Sequence, residues 1–133
     1  YQGRYNLFNR EPEEEGILRQ AKENGTGFIA FSPLAQGLLT NRYLNGIPED
    51  SRMARGGFLK KEQLTEDVLS KIKALNKMAE ERGQTLAEMA LAWVLKDDLV
   101  TSVIIGASSV AQLEDNLKAI RNTSFTKEEL RRL

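Results

Sequence analysis

The apolar run Val103-Ile104-Ile105 leads at once into Gly106-Ala107-Ser108-Ser109 and then Val110-Ala111-Gln112-Leu113-Glu114-Asp115-Asn116-Leu117. No other stretch constrains the fold as much. A buried apolar run, a turn of small residues and a segment of helical period predict strand, turn and helix in succession. A turn of Gly, Ala and Ser lets backbone N–H groups and a helix N-terminus approach an anion closely, so phosphate binding is one reading. An ordinary strand-to-helix junction is the other. Ser109 with Gln112 fits a capping box, which requires no ligand. Glycine-poor phosphate turns are weak motifs, so spacing alone favours the plain junction.

The rest of the chain repeats the same alternation. Tyr1–Phe8 is a strand candidate, with Tyr5, Leu7 and Phe8 as β-formers. A polar connection from Asn9 leads into a helix. Pro12 suits its first turn, and Glu13, Glu14 and Glu15 complement its N-terminus. Ile17, Leu18 and Ala21 make its apolar face, and Asn24-Gly25 ends it. Phe28-Ile29-Ala30-Phe31 is a continuous apolar run, which suits a strand covered on both faces. The residues from Ser32 to Lys61 have neither period. A connection of that length is often a lid or binding loop. It carries Arg42, Arg52, Arg55, Lys60 and Lys61 against Glu49 and Asp50, and could clamp phosphates or simply be solvated.

Thr65 caps a helix whose stripe is Val68, Leu69, Ile72, Leu75 and Ala79, with Gly83 as its stop. Thr85 and Glu88 form a capping box for a helix that is apolar nearly all round from Leu86 to Leu95. That helix is expected to be buried, with Met89 and Trp93 as core. Asp97-Asp98 turns into a third strand, Val100–Ile105. Val110, Leu113, Leu117 and Ile120 mark the apolar face of the following helix. A last helix starts at Thr126, with Glu129 at the capping-box position. Three strands alternating with helices imply a parallel α/β sheet. A closed (β/α)8 barrel needs about eight strands, so three are too few for one.

Composition removes several chemistries. The 133 residues carry 19 basic and 19 acidic side chains, so nothing suggests nucleic acid or a membrane surface as partner. There is no cysteine, which agrees with a reducing, cytoplasmic setting. There is no histidine, hence no imidazole base or metal ligand. No run is apolar and long enough to span a bilayer, and no signal peptide is evident. The chain opens at Tyr1 without an initiator Met and stops at Leu133 inside a helical pattern. We therefore expect residues 1–133 to be one partial domain of a longer protein.

Gly106, Ala107, Ser108, Gln112, Asp115 and Asn116 stand in the order Gly-Ala-Ser, Gln, acid-Asn. This pattern resembles the last strand, turn and helix of the aldo-keto reductase barrel, in the branch of the bacterial glyceraldehyde-phosphate reductases and potassium-channel beta subunits. The resemblance covers almost the whole chain. Tyr1–Arg10 is similar to the family's sixth strand, and Gly27–Leu39, with Ser32-Pro33-Leu34-Ala35, to its seventh. Arg42–Arg52 is similar to the loop over the cofactor, and Leu86–Leu95 to the helix before the eighth strand. The implied fold is the C-terminal part of a TIM barrel, about strands six to eight with their helices.

The resemblance implies NADPH as cofactor. It puts Gln2 on the nicotinamide carboxamide and Phe31 on the nicotinamide ring. Phe31 keeps an aromatic plane but lacks the polar handle of the family's usual Tyr or Trp. Ser32, Pro33 and Leu34 would line the pyrophosphate, with Gly37 allowing close passage. Arg42 stands where the family has Lys, and Arg52 where it has a loop Arg near the 2'-phosphate. Gly106, Ser108, Gln112, Asp115 and Asn116 would hold the adenosine end.

The same resemblance implies a small aldehyde as substrate. Its catalytic Tyr, Lys, Asp and His belong to the first half of the barrel. None of Tyr1, Tyr5 and Tyr43 lies in the matching motif, so this piece alone is expected to be inactive and to need the missing N-terminal half. Two further readings stay open. One is an NADPH-binding regulatory or redox-sensing subunit with little turnover. The other is a fragment that pairs with itself as a homo-oligomer to cover its open edges.

Overall fold

A computed structural model describes residues 1–44 and 65–133. Three strands form one sheet in chain order: β1 (Gln2–Arg4), β2 (Ile29–Phe31) and β3 (Ser102–Val103). Both pairings are parallel, with Gln2 opposite Ile29, Arg4 opposite Phe31 and Ala30 opposite Val103. Helices α1 (Glu11–Glu14) and α2 (Ile17–Glu23) join β1 to β2. Two short 3-10 turns, Ala35–Gly37 and Asn41–Tyr43, follow β2. Helices α3 (Glu66–Glu81) and α4 (Leu86–Val94) precede β3. Helix α5 (Val110–Leu117), a 3-10 turn (Lys118–Arg121) and α6 (Lys127–Arg132) complete the chain. The expected α/β alternation is present, and the strand order runs one way without reversal.

The strands are shorter than their apolar runs. The first run extends to Phe8, yet ladder pairing stops at Arg4. The reason is Asn6, whose Oδ1 accepts from the Phe8 and Asn9 amides, both at 2.8 Å. These bonds turn the backbone before Leu7 and Phe8 can extend the strand. Val100–Ile105 likewise shrinks to two residues in the ladder. Its neighbours still donate, Thr101 N to Phe28 O and Ile104 N to Ala30 O, each at 2.8 Å.

The local signals hold for the helices. Thr65, Thr85 and Thr126 each accept from the amide three residues on, and Glu88 and Glu129 complete two capping boxes. One expectation is corrected. The segment from Pro12 to Asn24 is two helices, broken at Gly16, whose φ of +78° suits glycine and interrupts the helical path. The end of the chain is tied down by Arg82, whose guanidinium donates to Ser124 O and Glu129 Oε2 at 2.9 Å each and lies 3.8 Å from the Phe125 ring. The Thr126 amide and that guanidinium hold the Glu129 carboxyl below its usual range.

The core lies between the sheet and α2, α3 and α4. Every residue of α4 is buried, and Trp93 is its largest side chain. The Trp93 ring packs 5.0 Å from that of Tyr5. Lys96 closes the cluster. Its Nζ lies 4.0 Å from the Trp93 ring and donates to the Tyr5 hydroxyl at 3.2 Å, while that hydroxyl donates to Glu13 at 3.3 Å.

Burial, then the Glu13 and Asp97 charges, push the Tyr5 hydroxyl well above its ordinary value of 10. Burial lowers Lys96 from its ordinary value. The unfolded chain sheds its tyrosine proton near pH 10 while the folded chain keeps that of Tyr5. Tyr5 therefore removes stability as pH rises above about 10, by up to about 1.4 kcal/mol per pH unit. Lys96 acts in the opposite sense below about pH 10.4, where the unfolded chain holds the proton that the folded one loses more readily. Urea midpoints between pH 9 and 11.5 should fall more steeply for the native chain than for Tyr5→Phe. Parallel curves would show that Tyr5 does not titrate differently on folding.

Two apolar faces stay open. The run Phe28–Phe31 is covered on one face only: Phe28 and Ala30 are fully buried, whereas Ile29 is 39% exposed. The stripe expected to pack α5 onto the core points outward instead, with Val110 72% and Ile120 69% exposed and Leu113 and Leu117 exposed beside them. The helical period was right, but none of the described residues covers that face.

Candidate functional site

The parallel sheet sends the loops after β2 and β3 to the same edge, outside the carboxyl ends of the strands. Ligands of α/β sheets characteristically bind there. The two loops enclose a cavity of about 720 Å³, a size ordinary for small-molecule sites. Ser32, Pro33, Leu34, Gln36, Gly37, Thr40 and Arg42 line it from the β2 side, and Ile104, Gly106, Ala107, Ser108 and Gln112 from the β3 side.

The β2 loop is held in an unusual backbone. Ser32, Ala35 and Gln36 have φ of 53°, 50° and 59°, and Gly37 has φ of 98°. Left-handed non-glycine residues are uncommon and cost energy, so several in six residues must be held in place by their surroundings. The loop has its own clamps. Gly37 and Leu39 donate to Leu34 O at 3.0 Å each, and Thr40 Oγ1 donates to Gly37 O at 2.6 Å.

The β3 loop ends at the N-terminus of α5. Ser109 accepts from the Gln112 amide at 3.1 Å, as the sequence predicted. The return half of the capping box is displaced by one residue. Gln112 Oε1 accepts from the Ser108 amide at 2.6 Å and from Ser108 Oγ at 3.0 Å. These two polar residues thus satisfy one another at the cavity wall. An added Cβ on Gly106 would meet no atom within 4 Å, so the cavity is open there.

Asn116 lies one turn beyond Gln112, on the same face of α5. It is 4% exposed, and its Nδ2 has no hydrogen-bond partner among the described residues. A buried, unpaired amide is costly and calls for an explanation. Its neighbour Asp115 is engaged: Oδ2 accepts from Thr85 Oγ1 at 3.2 Å, which ties α5 to the cap of α4.

Of the residues singled out from sequence, the cavity gathers Ser32, Pro33, Leu34, Gly37, Arg42, Gly106, Ser108 and Gln112. Gln2, Phe31, Asp115 and Asn116 do not line it. Gln2 pairs at Ile29, toward the other end of the strands. Phe31 ends β2 with the Arg4 guanidinium 5.6 Å from its ring. Arg52 lies outside the described residues, as do Arg55, Lys60 and Lys61 of the basic loop. Sequence reasoning missed Gln36 and Thr40, because a left-handed Gln carries no sequence signal and Thr40 is recruited by its bond to Gly37.

Among the described residues, Arg42 is the only charged side chain on the cavity wall. Hydroxyls, amides and one cation can bind an anion, but no group there can transfer a proton near neutrality. The Tyr5–Lys96 pair does not supply one. Tyr5 is 1% exposed, lies outside the cavity and is shifted away from neutrality. No group of residues among those described could hold a metal ion.

A family model described as Aldo/keto reductase family matches residues 1–133. The chain belongs to that family. L-glyceraldehyde 3-phosphate reductase of Escherichia coli (strain K12) is 54% identical over 134 residues, covering 98% of this chain and 39% of that protein. A probable voltage-gated potassium channel subunit beta of Arabidopsis thaliana is 41% identical over 122 residues, covering 90% and 37%. The branch inferred from Gly106–Asn116 is the one these relatives occupy. A thermostable aldo-keto reductase crystallised with the inhibitor epalrestat superposes with a TM-score of 0.68 at 27% identity, over 98% of this chain and 36% of that one. This aldo/keto reductase chain thus spans less than two fifths of the relatives it matches. No helix among the described residues is long and apolar enough to cross a membrane.

Proposed function

We propose that this chain is the part of an aldo/keto reductase barrel formed by about strands six to eight, and that its cavity holds NADPH in a cytoplasmic enzyme reducing small aldehydes. Glyceraldehyde 3-phosphate is the substrate suggested by the name of the relative that is 54% identical. The observation that carries the reading is the cavity itself: two loops at the carboxyl edge of a parallel sheet, one of them held left-handed, enclosing a polar space lined by hydroxyls, amides and Arg42. Asn116 is the test of fit. It lies one turn beyond Gln112 rather than on the cavity wall, and its buried Nδ2, without a partner among the described residues, is a donor that an adenine ring nitrogen would satisfy.

When bound, NADPH supplies a hydride to the carbonyl carbon. The residues of this chain bind and orient. The Ser32 hydroxyl and the Leu34 amide would serve as donors to the pyrophosphate. Ser108 and Gln112 would hold the 2'-phosphate end, the role the resemblance also gives to Arg52. Gln2 and Phe31, which lie off the cavity wall, would address a nicotinamide that reaches beyond it, and Arg42 would add charge near the phosphates. The proton that completes the alcohol comes from the Tyr of the family's first half, so the chain alone is inactive. That preceding part of the barrel also covers the outward stripe of α5 and the free edges of β1 and β3.

Fluorescence titration with NADPH and NADH tests the reading. NADPH should bind saturably and at least about tenfold tighter, the worth of one good charge-assisted contact. Equal affinities, or no saturable binding, would overturn it. A second reading, an NADPH-binding regulatory subunit with little turnover, rests on the relative described as a potassium channel subunit beta. Loss of the family's catalytic Tyr from the preceding sequence would favour it.

A further inference from the structure

Ser32 is the most constrained residue of the cavity. It has φ of 53° without being glycine, and it precedes Pro33, whose ring disfavours compact backbone at the residue before it. Two bonds converge on its carbonyl. One comes from the Ala35 amide at 3.1 Å, within the loop. The other crosses from β1: Asn6 Nδ2 donates at 2.9 Å.

Asn6 is 2% exposed, one of three buried polar side chains among the described residues. Its carboxamide can face only one way. Oδ1 already accepts from the Phe8 and Asn9 amides, so Nδ2 must point at Ser32. Turned over, the group would set oxygen against the Ser32 carbonyl and nitrogen against two amides. The same side chain that ends β1 is thus a rigid clip on the first residue of the cavity loop.

We propose that Asn6 is a positioning residue of the cavity: its buried carboxamide holds Ser32 left-handed, and thereby sets the path of Pro33, Leu34 and Gly37 around the ligand. Asn6 itself does not line the cavity. Its effect on binding rests on the NADPH reading above, whereas its effect on the backbone does not.

The test is a double-mutant cycle between Asn6→Asp and Ser32→Gly. Asp keeps the acceptor for Phe8 and Asn9 and removes the donor toward Ser32. Glycine adopts positive φ without steric cost, so Ser32→Gly makes the clip superfluous. Asn6→Asp should weaken NADPH at least about tenfold with Ser32 present and less than about twofold in the glycine background. The hydroxyl lost in Ser32→Gly is common to both glycine arms and cancels. Equal losses on both backgrounds would reduce Asn6 to a staple of its own turn and overturn the proposal.

Carbon chemical shifts of Ser32 in the ligand-free protein give a second readout. They should report left-handed backbone in the native chain and lose that signature in Asn6→Asp. If they do so while NADPH fails to bind, the positioning role stands and the cofactor reading fails. A signature unchanged in Asn6→Asp overturns the proposal. Should the aspartate variant not fold, Asn6→Ser keeps a short acceptor for the turn, is too short to reach Ser32, and takes the same cycle.

Discussion

Trp93→Ala should cost about 3–5 kcal/mol, the range for removing a large aromatic side chain from a packed core. Trp93 is 1% exposed at the middle of the cluster between β1 and α4, against Tyr5. Its loss also removes the ring contact made by two cations, Lys96 at 4.0 Å and Arg10 at 4.8 Å. Each such contact is worth roughly 0.5–2 kcal/mol, depending on its desolvation. Against a domain stability of about 5–15 kcal/mol, the variant keeps little reserve. Thermal unfolding followed by circular dichroism should show a fall of roughly 15 °C or the loss of a cooperative transition. Trp93→Phe retains the ring contact with Tyr5 and should lose much less. A fall of only a few degrees for Trp93→Ala would mean that α4 is not the centre of the core.

Gly106→Leu should do the reverse, removing binding without touching the fold. The added side chain meets no protein atom within 4 Å at its Cβ, and Gly106 is not among the left-handed glycines. Stability should therefore stay within about 0.5 kcal/mol, as for a substitution away from packed features. The new side chain fills space that the ligand needs. A steric penalty of about 1–3 kcal/mol corresponds to roughly fivefold to more than a hundredfold weaker NADPH binding. Parallel urea denaturation and NADPH titration separate the two effects. Unchanged affinity would place the ligand away from the β3 loop and discredit Ser108 and Gln112 with it.

The two variants separate what was legible in sequence from what was not. The burial of Trp93 and Met89 could be read directly, because a helix apolar on all sides has no face to show to water. The caps at Thr65, Thr85 and Thr126 could be read too, since each is a bond between residues three apart. The junction at Gly106–Asn116 disclosed both its strand-turn-helix form and its family. The left-handed Ser32, Ala35 and Gln36 were not legible, because their side chains carry no preference for that backbone. Their conformation is set by the loop's own bonds and, at Ser32, by the bond that Asn6 sends across from the end of β1. Gly16 stood between the acidic helix start at Glu13–Glu15 and the apolar face that begins at Ile17, and composition alone does not tell a tolerated helical glycine from a left-handed one.

Local chemistry within the sequence therefore determined the order of strands and helices, their caps, the buried helix α4 and the small-residue turn that opens α5. Those depend on neighbours a few residues away, which the chain itself specifies. Tertiary structure decided where the strands stop, which face of each element is covered and which residues meet. Asn6 ends β1 and reaches across to Ser32. Asp115 turns to Thr85, while the Asn116 Nδ2 is left buried without a partner among the described residues. The stripe of α5 lies outside the core although its period is perfect. A period states which side of a helix is apolar, but only the packing of distant segments determines what that side faces.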